Sequence, residues 1–239
     1  MFDPKVHRGV ILYEGPSVLD PSRMIVAIAN RITTASTNEK TGAMIQTFIL
    51  DATLKPTEAV KSGRDSSVCG SCRHRPSTGG ACYVNVGQAP NQVFGAYHRQ
   101  RYTKDFDPFI FWNKVVRLGT YGDPAAVPGY VWAYAFKHAA AINGYTHQWR
   151  TTPLQEMCMA SVDTPEERDE ARALGWRTFR VRDQNEPVLD REIVCPASKE
   201  AGFKTNCAAC RACGGTDAKA KADIVIIAHG AKASRFSND

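Results

Sequence analysis

Three cysteines crowd into the run Cys207-x-x-Cys210-x-x-Cys213, and this spacing constrains the chain more than any other feature. A single tetrahedral zinc is usually gripped by separated cysteine pairs, which such a triplet does not provide. A cubane of iron and sulfide suits it better. One short loop wrapped round the cluster ligates three irons, and a remote cysteine reaches the fourth. Cys195-Pro196 is that remote candidate, because the bacterial ferredoxin run also gives proline to its outlying ligand, although here the Cys-Pro precedes the triplet. Ala208, Ala209, Ala212 and Gly214-Gly215 let backbone come close to the cluster sulfurs. The reading is a [4Fe-4S] site, with zinc as the alternative.

A second set, Cys69-x-x-Cys72-x₉-Cys82, offers three thiolates and no evident fourth. Either a [4Fe-4S] cluster keeps one iron open for a substrate or cofactor, as a catalytic zinc keeps an open position, or His74, Cys158 or another residue closes a zinc or cluster site. The open cluster is the preferred reading. Cys158 itself lies in an apolar run between methionines and is expected to be a small core residue. One or two clusters are therefore expected in all.

The start of the chain, MFDPKVHRGVILYEGP, has no apolar run of signal-peptide length, and no stretch approaches a membrane span. A cytoplasmic location is expected, where clustered thiols stay reduced and bind metal. The 239 residues, 43% apolar and 23% charged, suffice for a buried core without staples. The net charge of +6 favours acidic partners without identifying nucleic acid. An alternative reading is nevertheless a zinc-stabilised nucleic-acid-binding protein, built on Arg73, His74, Arg75 and the basic stretch from His98 to Lys104. That stretch is otherwise a solvated helix end.

Met24 to Ala29 and Ala43 to Leu50 read as strands of a long hairpin. Lys61 to Gln88, rich in Gly, Ser and Arg, reads as a loop whose order must come from something bound. A helix is expected over Asn91 to Tyr102 and a strand over Val115 to Leu118. Asp123-Pro124 is expected to open a helix running through Tyr130 to Ile142, with Ala139-Ala140-Ala141 as helix packing. Met157 to Ser161 is a strand, Thr164-Pro165-Glu166-Glu167 a capping box, Gly175 a stop, and Arg177 to Arg182 and Asp223 to Ala228 further strands. The alternation predicts an α/β fold, a parallel sheet with crossover helices forming a partial (β/α) barrel. Residues 1–190 are assigned to that domain, with the cysteine loop at 61–88. Residues 191–239 form a cluster-binding segment with a final strand and tail.

Three cysteines in a loop after early strands, β/α units behind them and a second cysteine set near the C-terminus together resemble the radical S-adenosylmethionine enzymes. Their usual motif is C-x₃-C-x₂-C, so the likeness rests on arrangement. Gly119-Thr120-Tyr121-Gly122-Asp123-Pro124 resembles that family's Gly-Gly-Glu-Pro turn, with Asp123 in place of its glutamate. The resemblance implies that Tyr121, Gly122 and Asp123 bind the cofactor, that Cys69, Cys72 and Cys82 hold the open cluster, and that the Cys195 set is auxiliary. It further implies an electron donor as partner. The chain is also similar, diffusely, to uncharacterised phage-encoded cysteine-rich proteins, which would place it in a host cytoplasm. Strand-end candidates for ligand binding are Arg117, Tyr121, His147, Trp149, Arg150, Ser161, Asp163, Arg180 and Arg182. Of these, Arg180 and Arg182 would otherwise face solvent, and His147 and Trp149 would alternate with core positions in a short strand. A non-catalytic electron-transfer or redox-sensing protein is the other reading.

Overall fold

The computed structural model describes residues 1–34, 36 and 38–236. In a first sheet, β1 (Gly9–Pro16), β2 (Met24–Asn30), β3 (Ile45–Asp51), β4 (Tyr102–Thr103), β5 (Val115–Tyr121) and β6 (Ala141–Asn143) lie in the order β4-β1-β2-β3-β5-β6. In a second, β7 (Tyr145–Thr146), β8 (Met159–Val162), β9 (Thr178–Arg182), β10 (Glu192–Val194) and β11 (Asp223–Ile227) lie in the order β10-β11-β9-β8-β7. Every pairing in the second sheet is parallel, as are β3 with β5 and β5 with β6. The fold is thus mixed α/β with parallel strands, as the alternation of elements predicts.

The hairpin is present. β2 and β3 pair antiparallel, from Ile25 opposite Asp51 to Asn30 opposite Gln46. The Ile25-Val26-Ala27-Ile28-Ala29 run of β2 is fully buried, the pattern of a strand covered on both faces. Covering it are helices on one side and the rest of the core on the other. α1 (Pro56–Lys61), α2 (Ser66–Cys69) and α3 (Ala89–His98) pack against β3, α4 (Gly129–Ala135) against β1, and α5 (Pro165–Ala173) against β8 and β9. α6 (Cys207–Cys210) is a single turn.

α5 forms where its caps place it. Thr164 Oγ1 accepts from the Glu167 amide at 3.2 Å, Pro165 occupies the first turn, and Gly175 follows at φ +84°. The Glu167 carboxylate accepts from the Asp163 amide at 2.9 Å, so the box reaches one residue farther back than the usual pattern.

Two sequence expectations need correction. The helix expected from Asp123-Pro124 through Ile142 is broken into a 3₁₀ turn (Pro124–Ala126), α4 and the strand β6. Pro128, at the N-cap of α4, forces a fresh start, and β5 offers an open edge that the chain after α4 takes up. Ala139-Ala140-Ala141 is therefore not helix packing: the Ala140 amide donates to Lys114 O at 2.8 Å and Ala141 opens β6. The second correction concerns β7, which covers Tyr145–Thr146, so His147 and Trp149 follow the strand instead of lying in it.

Gly144 alone separates β6 from β7 and so joins the two sheets. Its amide donates to Cys213 O at 3.0 Å and its carbonyl accepts from the Met159 amide at 2.9 Å. A Cβ there would stand 2.6 Å from Cys158 Sγ, so the junction needs glycine. Among the described residues no helix is long and apolar enough to cross a membrane.

Candidate metal centre and its cavity

The first cysteine set is built on α2, whose last residue is Cys69. Gly70 turns the chain at φ +57°, and the Cys72 amide donates back to Cys69 O at 3.3 Å. The Cys82 amide donates to His74 O at 3.0 Å, folding the far end of the loop onto the near end. Asp65, fully buried, holds the loop from beneath: it accepts from Ser77 Oγ at 2.6 Å and pairs with Arg75 at 3.4 Å. Asp65 thus ties the loop to its base, beside any order a bound group would add.

The second set hangs between the two sheets. Cys195 follows β10 and its amide donates to Val225 O at 2.8 Å. Asn206 caps α6 by accepting from the Ala209 amide at 3.0 Å, while the Cys207 amide donates to Lys40 O at 2.8 Å in the β2–β3 connection. Gly42, at φ +62°, permits this docking, since a Cβ there would stand 2.7 Å from Asn206 Oδ1. Cys213 is then fixed by its carbonyl on Gly144.

All seven of these cysteines line one cavity of about 390 Å³. The described cysteines are free thiols. Within each set the thiols are electrostatic neighbours: Cys72 and Cys82 of Cys69, and Cys195, Cys207 and Cys210 of Cys213. Burial raises the Cys69 thiol well above its ordinary pKa, with Cys72 and Cys82 adding to the rise, and burial lifts Cys213 to about 12. Ligation must therefore displace protons, and metal affinity rises with pH.

Four thiolates about 2.3 Å from a tetrahedral zinc lie roughly 3.8 Å apart. Among the described residues, the one group of three or more candidate ligand atoms all within 4.8 Å of one another is His74, His147 and Asp163, with no cysteine in it. Among the described residues no three thiols stand that close to one another as placed.

Of the residues expected at strand ends, Arg117, Tyr121, His147 and Ser161 line the cavity, together with Gly122 and Asp123 of the expected cofactor turn. Gly122, at φ +85°, lets the turn press onto β3, since a Cβ would come 2.7 Å from the Ile49 side chain. Asp123 is buried and its carboxylate is taken up by the protein, accepting from the Ala125 amide at 2.9 Å, Thr146 Oγ1 at 2.7 Å and the His147 amide at 2.8 Å. It caps a turn and ties β5 to the end of β7. His147 thereby stands against Cys72. Burial opposes charge on its ring, but Cys72, Asp163 and Asp123 outweigh burial and raise its pKa to about 10. Asp163 contacts His74 at 2.8 Å.

The other candidates are elsewhere. Trp149 is in the core with the Arg150 guanidinium 3.9 Å over its ring, and Arg150 bonds Glu170 at 2.8 Å. On β9, Phe179 and Val181 line the cavity, so by strand alternation Arg180 and Arg182 point to the opposite face. They do not face solvent either, both being buried beneath the segment after β9, where Arg180 pairs with Glu192 at 2.8 Å. In the basic stretch, Tyr102 is buried in β4 and Lys104 pairs with Glu14 at 3.0 Å. Sequence reasoning missed Lys40, Tyr83, Tyr145 and His229 in the cavity wall. No short motif marks them, since they meet only through the fold.

Cys158 is fully buried against Gly144. Cys158→Ala is expected to retain the iron content of the parent protein and to lose about 1 kcal/mol of stability in denaturant titration. Loss of iron would make Cys158 a ligand.

Against known proteins, no family model, no curated protein and no solved structure matches this chain.

Proposed function

We propose that this chain is an iron–sulfur protein that holds two [4Fe-4S] clusters in the wall of one cavity, arranged as in the radical S-adenosylmethionine enzymes. Cys195, Cys207, Cys210 and Cys213 supply a full set of thiolates for one cluster, and residues 191–239 serve as its binding segment. Cys69, Cys72 and Cys82 supply three for the other and leave one iron free. The parallel strands from β3 to β11, joined at Gly144, act as a partial barrel round them. The observation that carries this reading is the convergence of seven thiols from distant parts of the chain on one cavity.

The remaining residues support a site and not a structural staple alone. Thr41 Oγ1, Arg117 Nε, Tyr121 OH and Asn143 Oδ1 are buried cavity-wall atoms without a protein partner. Buried polar atoms are rarely left so unless something else satisfies them. An open cluster, charged with one electron by an external reductant, supplies the reductive cleavage of the sulfur–C5′ bond of S-adenosylmethionine to methionine and a deoxyadenosyl radical. The turn at Tyr121, Gly122 and Asp123 would form the cofactor's wall. With its carboxylate already engaged, Asp123 would act there through the positions of Thr146 and His147.

One observation favours a second reading. His147 stands against Cys72, and its imidazole would serve as a fourth ligand. A closed cluster would leave an electron-transfer or redox-sensing protein.

Anaerobic purification is expected to give brown protein containing iron and acid-labile sulfide, with two clusters visible by electron paramagnetic resonance after reduction. Addition of S-adenosylmethionine should alter one signal and yield deoxyadenosine. An unaltered signal and no deoxyadenosine would establish the electron-transfer reading, and colourless protein carrying only zinc would defeat both.

A further inference from the structure

A line of side chains crosses the cavity between the two cysteine sets. Arg117, on β5, donates from Nη2 to the hydroxyl of Tyr83, the residue after Cys82. The Tyr83 ring stacks on His229 with centroids 5.5 Å apart, and His229 Nε2 lies 3.1 Å from Lys40 Nζ. His229 Nδ1 lies 3.1 Å from Ile227 O, so its proton sits on Nδ1 and Nε2 accepts from the lysine. The line depends on Gly230, at φ +95°, where a Cβ would meet Tyr83 Cβ at 2.9 Å.

Two cations therefore share this wall, and among the described residues no carboxylate pairs with either. Among the described residues, Asp123 is the one acidic residue in the cavity lining, and its oxygens are engaged by β7 and the turn that follows β5. Lys40 gives one of its three N–H groups to His229. Arg117 gives Nη2 to Tyr83, and its buried Nε has no protein partner. Like charges that share a cavity wall repel one another unless an anion offsets them.

We propose that Lys40 and Arg117 form a receptor for an oxyanion, a carboxylate or phosphoryl group carried by the substrate, between the two cysteine sets. The proposal rests on reading the cavity as a substrate site and adds the class of substrate to that reading. Charge on the C-terminal cluster accounts for part of the arrangement, since Lys40 lies near Cys195, Cys207 and Cys213. The same charge reaches Arg117 through Cys207, but the guanidinium also engages Tyr83 beside the other set, and among the described residues its buried Nε has no protein partner. A planar fork of this kind suits an oxyanion.

The test uses the full chain reconstituted with iron and sulfide, titrated by calorimetry with inorganic phosphate and, separately, with succinate. Saturable binding of at least one anion is expected, and the tighter of the two identifies the head group. Arg117→Gln should weaken that binding by about tenfold or more, the loss of a hydrogen bond to a charged group, with iron and sulfide at parental levels. If Arg117→Gln fails to fold, Lys40→Gln carries the same expectation. The proposal is overturned if neither anion binds, if both variants bind like the parent, or if the variants lose iron and sulfide in step with anion binding. Anion binding that depends on Arg117 in a protein without sulfide would sink the cluster assignment and leave the receptor standing.

Discussion

Cys210→Ala is expected to remove the C-terminal cluster and to loosen the chain between Cys195 and Cys213, leaving the cluster at Cys69, Cys72 and Cys82 in place. α6 is a single helical turn with no buried residue, far too short to persist by itself. The residues leading to it, Lys199 to Asn206, form no regular element, and Gly202, Phe203 and Lys204 are exposed. Fixing each such residue costs roughly 1–2 kcal/mol of conformational entropy, which the two amides docked on Lys40 and Thr41 do not offset. In the iron–sulfur reading, ligation supplies much of the order that remains, so loss of one thiolate becomes loss of local structure. Iron and sulfide should fall by roughly half, one cluster of two. Limited proteolysis should open new cleavage sites after Cys195 and before Cys213. Unchanged iron together with unchanged protease resistance would contradict the assignment of Cys210 as a ligand. Cys72→Ala offers the reciprocal case: the segment after Cys195 stays protected because its own cysteines are intact, and the first loop keeps Asp65 as its anchor.

Local patterns were legible in the sequence where the physics is local. The β2–β3 hairpin follows from two apolar runs, and α5 follows from a cap, a proline and a glycine within one stretch. β1 and β4 escaped because each is defined by its partner: β4 is two residues that pair with Gly9 and Val10. The helix expected after Asp123 failed because capping and proline signals there describe a 3₁₀ turn as well as they describe a helix, and Pro128 decides between them. The cysteines were recognisable as two groups from their spacing. Their meeting in one cavity was not, since it requires Gly144 to carry the chain from one sheet to the other and Gly42 to admit Asn206 beside the β2–β3 connection. The same holds for Lys40, Arg117, Tyr83 and His229, drawn from four separated stretches. Arg180 and Arg182 illustrate the converse: alternation with Phe179 and Val181 correctly implies two faces, but which face meets the cavity, and that the other is also buried, depends on what covers it.

That covered face gives the second large effect. Glu192→Ala is expected to destabilise the protein by about 3–5 kcal/mol, because it strands a buried guanidinium. Arg180 is fully buried in β9, and it reaches past β11 to Glu192 in β10, with Nε and Nη2 each 2.8 Å from a carboxylate oxygen. Glu192 also accepts from the Leu189 amide at 2.8 Å, so the same carboxylate orders the loop that seals the face. Pro187 O takes a further donor of Arg180 at 2.8 Å and Glu186 lies 3.5 Å away, neither of which replaces a bidentate pair. For a chain of this size the loss corresponds to a fall in melting temperature on the order of 10 °C, measurable by circular dichroism. The double variant Arg180→Met, Glu192→Leu should recover most of it, since exchanging both members of a buried pair for apolar groups of similar volume removes the desolvation cost as well as the attraction. If Glu192→Ala melts with the parent protein, Arg180 must find another partner or reach water. If the double variant is as unstable as the single one, the carboxylate's bond to the Leu189 amide matters more than its charge. Because β9 and β11 carry the cavity wall on their other face, the single variant should also weaken retention of the cluster at Cys195, whose amide hangs from Val225 of β11.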